Sequence, residues 1–167
     1  MENCRPVSTP IDPKAPLVKA DGSEPPHERT AYQQMIGSLM YLVTCTRPDL
    51  AFSVSFLSRF SSHPLKSHHT AVKRVFRYLA GTRNVSLMYH RLSTSVPLML
   101  TGFSDADYAS CRDTRRSVTG YVFMLNGCAI SWLSKKQSSI SASTTESEYM
   151  ALSTTAQQAL WYTNALS

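Results

Sequence analysis

The stretch "SVTGYVFMLNGCAISWLSKKQ", residues 117–137, decides the reading of the fold. Two runs rich in β-branched and aromatic residues flank the pair Asn126-Gly127. That dipeptide suits the two central positions of a tight hairpin turn, where φ is positive. The sequence therefore predicts an antiparallel hairpin. Working upstream, "PLMLTGFSDAD" (97–107) and "VSLMYH" (85–90) predict two more strands. Downstream, Ser143, Thr144 and Thr145 introduce a last helix, with Tyr149, Leu152, Ala156, Leu160 and Thr163 along one face.

Before the strands the apolar period is helical. Tyr32, Met35, Ile36, Leu39, Met40 and Val43 mark a helix over about 31–44, with Thr30 and Gln33 expected as its capping box. "TRPDL" (46–50) restarts the chain, Pro48 suiting a first turn and Asp49 the positive end of a helix. Leu50, Val54, Leu57 and Phe60 form the buried side of a second helix bounded by Pro64. A third, over about 66–80, buries Val72, Val75, Phe76 and Leu79, with Gly81 expected as its left-handed cap. The fold class is α+β: a helical segment, then antiparallel strands and one helix.

Residues 1–28 carry six of the nine prolines and no periodicity, which reads as a proline-rich arm or linker. No run of 18 apolar residues and no basic-then-apolar start is present, so neither a membrane span nor a secretory signal is expected. An intracellular chain, cytoplasmic or nuclear, is the expectation. Cys4, Cys45, Cys111 and Cys128 have no zinc-type spacing and read as free thiols. His63, His68 and His69 read as surface helix residues, and Trp132 and Trp161 as packing residues.

The net charge of +6 is unevenly spread, because residues 29–97 hold nine Lys+Arg against one acidic residue. Lys66, Lys73, Arg74 and Arg77 fall off the apolar stripe of the third helix and make a basic ridge. Such a ridge fits either a polyanion or a solvated helix face.

Acidic pairs close the inventory. Asp105 and Asp107 share a face if the strand reaches that far, and then form either a magnesium-binding pair or a turn with its cap. With Ser143 as N-cap, Glu146 is the capping-box partner and Glu148 is free to join a carboxylate from the sheet. With Thr145 as N-cap, Glu148 is the box partner instead, and the letters fit both.

"RPDLAFSVSFLSRF", "RVFRYLAGT", "SDADYAS", "SVTGY", "ISWLSKKQ" and "TESEYMAL" occur in this order. In them the chain resembles the Pol polyprotein of Ty1/copia-type LTR retrotransposons, from the end of the reverse transcriptase into the ribonuclease H domain. The resemblance implies a thumb- or connection-like helical segment over 29–91 and the front of an RNase H-like domain over 92–167. It implies that Asp105 and Glu148 are catalytic and metal-binding carboxylates for Mg2+ or Mn2+, and that Asp107 and Glu146 are not. The substrate implied is the RNA strand of an RNA–DNA hybrid.

The sequence contains no Y-x-D-D tetrad, so polymerase activity is not expected of it. The family supplies its third and fourth carboxylates beyond the helix of Glu148. With two of them, residues 1–167 are expected to hold metal weakly and to bind hybrid or other nucleic acid with negligible hydrolysis. Alternatives are a half-site completed by another chain, such as a parent Pol, and a non-catalytic interference protein. The strand of Asp105 would lack one neighbour, so self-association is a further expectation.

Overall fold

The structure, a computed structural model, describes residues 4–12, 15, 17–89 and 97–166. It divides into two compact units, residues 1–86 and 87–167.

The first unit contains α1 (Arg29–Cys45), a 3-10 turn (Pro48–Leu50), α2 (Ala51–Ser58) and α3 (Lys66–Gly81). Most of the expected stripe residues form its core: Tyr32, Ile36 and Leu39 from α1 meet Leu50, Val54, Leu57 and Phe60, with Val72 and Val75 of α3, whereas Met40 of the α1 stripe is exposed. The Tyr32 hydroxyl donates to the Leu57 carbonyl at 2.8 Å inside this core, and burial pushes its pKa well above the ordinary tyrosine value. Leu17, from the proline-rich arm, is buried in the same cluster.

Three local expectations change. Helix α1 begins at Arg29 behind Glu28, which has φ 40°, and no side chain caps it. Thr30 is therefore inside the helix, and Gln33 Nε2 donates instead to the Ser61 carbonyl at 2.9 Å. Gly81 belongs to α3 and is not left-handed, Thr82 being the C-cap. A Cβ at Gly81 would stand 2.9 Å from Cβ of Pro6. The glycine thus serves a close approach of the arm rather than a turn. His68 and His69 are buried, not surface residues, because they bind arm carbonyls: His68 Nε2 lies 3.0 Å from the Val18 oxygen and His69 Nε2 lies 2.9 Å from that of His27. The Leu65 N–H donates to His68 Nδ1, which leaves the ring proton on Nε2 to face Val18.

The second unit contains β1 (Leu100–Asp107), β2 (Val118–Leu125), β3 (Cys128–Lys136) and α4 (Thr144–Leu166). The sheet is antiparallel in the order β1-β2-β3. Asn126 and Gly127 have φ 47° and 85°, so the predicted hairpin turn is borne out. A register shift beside Phe123 and Met124 places one extra β3 residue, Ile130, in the hairpin. Residues 85–89 of the expected "VSLMYH" strand are not a strand, and residue 90 lies outside the described residues. Among the described residues, β1 is an edge strand.

Helix α4 packs on the sheet through its small-residue side. Ser147, Ala151 and Thr155 are its buried residues, and Thr155 Oγ1 donates to Ser104 Oγ of β1 at 2.9 Å. The apolar stripe read from the sequence is the outer one: Tyr149 is 68%, Leu152 53% and Leu160 66% exposed. Trp161, expected to pack, is 60% exposed beside Tyr162. Tyr162 instead reaches inward to Phe123, ring centroids 5.3 Å apart. Gly102 allows this, since a Cβ there would stand 2.6 Å from Cε1 of Phe123.

Candidate carboxylate site and basic surface

Asp105 pairs with Gly120 in mid-register of β1, and Asp107 pairs with Val118 as the last strand residue. Asp107 is thus in the strand, and the turn begins after it. Both carboxylates are exposed and, being two apart, share one face of the strand. Ser104 is tied to α4 through Thr155, so alternation turns Asp105 toward the opposite face.

The first turn of α4 shows which glutamate is the cap. Ser143 Oγ accepts from the Glu146 N–H at 3.1 Å, and Glu146 Oε2 accepts from the Ala142 N–H at 2.6 Å. Ser143 is therefore the N-cap, and Glu146 reaches back one residue beyond the usual capping-box donor. Glu148 has no capping task. It is exposed and lines a groove of about 410 Å³ with Ser104, Thr145, Tyr149 and Leu152.

Asp105 and Glu148 therefore come from adjacent elements, but Glu148 shares its groove with Ser104 and not with Asp105. Magnesium takes about six oxygen ligands in near-octahedral geometry. Among the described residues, no group of three or more His, Cys, Asp or Glu could hold a metal ion.

The sheet end next to α4 is fixed by Gln137, whose role the sequence reading missed. Its Nε2 donates to Thr119 Oγ1 at 3.1 Å and to the Ser147 carbonyl at 3.0 Å, while its Oε1 accepts from Ser141 Oγ at 3.0 Å. A buried carboxamide satisfied on both sides holds β2, the loop and α4 in one geometry.

On α3, Lys66 and Lys73 are exposed, whereas Arg74 and Arg77 are half-buried. The arm lies against both arginines. Arg74 Nη2 donates to Thr9 Oγ1 at 2.8 Å, and Arg77 Nε donates to the Arg5 carbonyl at 2.7 Å. Arg74 Nε is buried and has no acceptor among the described residues.

"TRPDL" supplies a polar centre that the sequence reading took only as a helix start. Arg47, 6% exposed, donates through Nε and Nη2 to the two oxygens of Asp49 at 3.0 and 2.8 Å. Its Nη1 and Nη2 also reach the carbonyl and hydroxyl of Thr82 at 3.2 and 2.7 Å, and the Tyr78 hydroxyl donates to Asp49 at 2.9 Å. Burial pushes the Asp49 pKa up, but the hydrogen bonds from Arg47 and Tyr78 and the charge of Arg47 outweigh it and hold it below the usual carboxylate value. The spacing Arg-x-Asp across a proline was the available signal.

Several known proteins are similar to this chain in sequence. The secreted RxLR effector protein 161 of Plasmopara viticola is 48% identical over 132 residues, which is 79% of this chain and 91% of that protein. The retrovirus-related Pol polyproteins from transposon TNT 1-94 of Nicotiana tabacum and transposon RE1 of Arabidopsis thaliana are 42% and 38% identical over 96% and 99% of the chain. The chain spans only 12% and 11% of those two polyproteins. No family model matches the chain, and no solved structure does. Its class is therefore retrovirus-related Pol sequence from transposable elements. Within that class, the chain belongs to the Ty1/copia-type retrotransposon Pol family. Among the described residues, no helix is long and apolar enough to cross a membrane.

Proposed function

We propose that this copia-type Pol chain joins the end of a reverse transcriptase, residues 29–91, to the front of a ribonuclease H domain, residues 92–167. In this reading its own capacity is to bind RNA–DNA hybrid or other nucleic acid through Lys66, Lys73, Arg74 and Arg77. Hydrolysis of the RNA strand belongs to a longer parent. The observation that carries the reading is the order of elements around the carboxylates. Asp105 stands in the middle of β1, two antiparallel strands follow, and α4 then returns to β1 with Glu148 uncommitted to its cap. In the longer parent Asp105 and Glu148 would be candidate ligands to Mg2+ or Mn2+, whose chemistry in such sites is to activate water and stabilise the leaving oxygen, although here Ser104, not Asp105, is the β1 residue that shares a groove with Glu148.

Two measurements test this. Affinity for a labelled hybrid should fall with salt at a log–log slope of about 0.7–0.9 per phosphate contact, and Lys66→Glu with Lys73→Glu should flatten that slope. Incubation of the chain with the hybrid and Mg2+ or Mn2+ should give no cleavage above background. Metal-dependent cleavage lost in both Asp105→Asn and Glu148→Gln would make the chain a nuclease in its own right.

A second reading is a stand-alone, non-catalytic interaction protein, favoured by the 91% coverage of a relative named as a secreted effector. Adding the chain to a copia-type reverse transcription reaction distinguishes it, because inhibition that survives Lys66→Glu and Lys73→Glu would point to a protein partner.

A further inference from the structure

The guanidinium groups of Arg47 and Arg74 use the same edge in different ways. In Arg47 the Nε and Nη2 donors are both filled by the two oxygens of one carboxylate, the side-on fork that planar oxyanions match. In Arg74 the same edge holds only a neutral hydroxyl, Thr9 Oγ1 on Nη2, while Nε is buried with no acceptor among the described residues. A buried N–H without a partner is costly, so this edge is poorly matched to what covers it. One turn away, Arg77 Nε is likewise engaged by a neutral acceptor, the Arg5 carbonyl.

The covering segment is lightly held. Arg5, Pro6, Ser8 and Thr9 are exposed and Val7 is half-buried, and the polar and close contacts described for this tip are the two arginine bonds and the approach of Pro6 to Gly81. Farther along, the arm is anchored firmly, by Leu17 in the core and by His63, His68 and His69 on the carbonyls of Glu24, Val18 and His27. The tip can leave while the rest stays.

We propose that residues 5–9 are a displaceable cover over a phosphate site made by Arg74 and Arg77, so that the arm tip and a nucleic-acid backbone compete for the same donors. This rests on the nucleic-acid reading above and adds its regulation. A phosphate oxygen pair fits the Nε and Nη2 edge of Arg74, and a charge-assisted bond replaces a neutral one at each arginine. Lys66 and Lys73, exposed on the same helix, supply the attraction that acts while the tip is still in place.

The test uses the full chain with Thr9→Val, which removes the hydroxyl acceptor, and Gly81→Ala, whose added Cβ displaces Pro6. Neither replaces a basic side chain, and the Gly81 backbone accepts alanine because its φ is not in the left-handed region. The labelled hybrid should bind the double variant roughly three- to tenfold more tightly than wild type, the scale of one hydrogen bond removed from the competing state. The gain should vanish when Arg74→Ala and Arg77→Ala are added. Thiol labelling of Cys4 in a Cys45→Ser background should also speed up when hybrid is added, as the tip leaves. Wild-type salt-dependent binding that the double variant leaves unchanged, or a gain that persists without the arginines, overturns the cover alone. Absence of salt-dependent binding in wild type and double variant alike overturns the nucleic-acid reading, and the cover with it.

Discussion

The two units solve the same problem of apolar surface in opposite ways. In residues 1–86 the three helices turn their apolar stripes onto one another, the arm adds Leu17, and the buried cation Arg47 is matched by Asp49 and Thr82. In residues 87–167 a three-stranded sheet is covered on one side by the small residues of α4, while Tyr149, Leu152 and Leu160 face outward and β1 is an edge. One unit packs its helices around a shared core, leaving Met40, Tyr41 and Phe52 exposed, and the other offers a strand edge and an apolar helix face. Any self-association is therefore expected to involve the second unit.

The sharpest way to break this contrast is in the closed core. Leu39→Ala should cost about 2–5 kcal/mol, because Leu39 is fully buried and its loss leaves a cavity in the core. Hydrogen exchange should show the loss in α1–α3. Trp132 and Trp161, both in the second unit, should report the same fluorescence transition as before if the units unfold separately.

Asp49→Ala comes next. It strips the carboxylate from a buried guanidinium, and a loss of about 2–4 kcal/mol is expected, since Thr82 still accepts from Arg47. The folded-state pKa of Asp49 is depressed, so its stabilisation is complete above the unfolded value, near pH 4, and fades as pH falls through the lower folded value. Acid titration of stability should show that fade in wild type and a flatter curve in Asp49→Asn.

Gly102→Ala sharpens the comparison from the other side. The new methyl meets the Phe123 ring, and a cost of about 1–3 kcal/mol should fall on the second unit, read by tryptophan fluorescence. The smallest stability effect, within about 0.5 kcal/mol, is expected for Leu152→Lys with Leu160→Lys on the exposed stripe. Light scattering should nevertheless show wild type self-associating at high concentration and the double variant less so. A wild type that stays monomeric at every concentration would remove the distinction between an open and a closed unit.

Much of the fold was legible because its signals are local. The stripes of α1–α3 and the Asn126-Gly127 hairpin follow from periodicity and from backbone conformations that few residues accept. The face of α4 was not legible. Its most apolar stripe and its buried stripe are different sides of one helix, and the sheet takes Ser147, Ala151 and Thr155 because small side chains allow close packing. Periodicity finds the apolar side of a helix but does not say what covers it. The histidines and Gly81 were misread for a related reason, since their partners lie in an arm with no periodicity of its own. For the site, the division of labour between Glu146 and Glu148 became definite only with the Ser143 hydrogen bond, the letters having fitted two registers. The pairing of Arg47 with Asp49 depended on tertiary burial that spacing does not express.

The anchored arm also bears on the order in which the first unit can form. Helical units dominated by local contacts fold fast, but the bonds from His63, His68 and His69 to the arm span 39, 50 and 42 residues, and those of Arg74 and Arg77 span 65 and 72. Such separations add loop-closure entropy late in the reaction. The arm contacts of His68, His69, Arg74 and Arg77 can form only once α3 is in place, so within the first unit they are expected to be among the last to form.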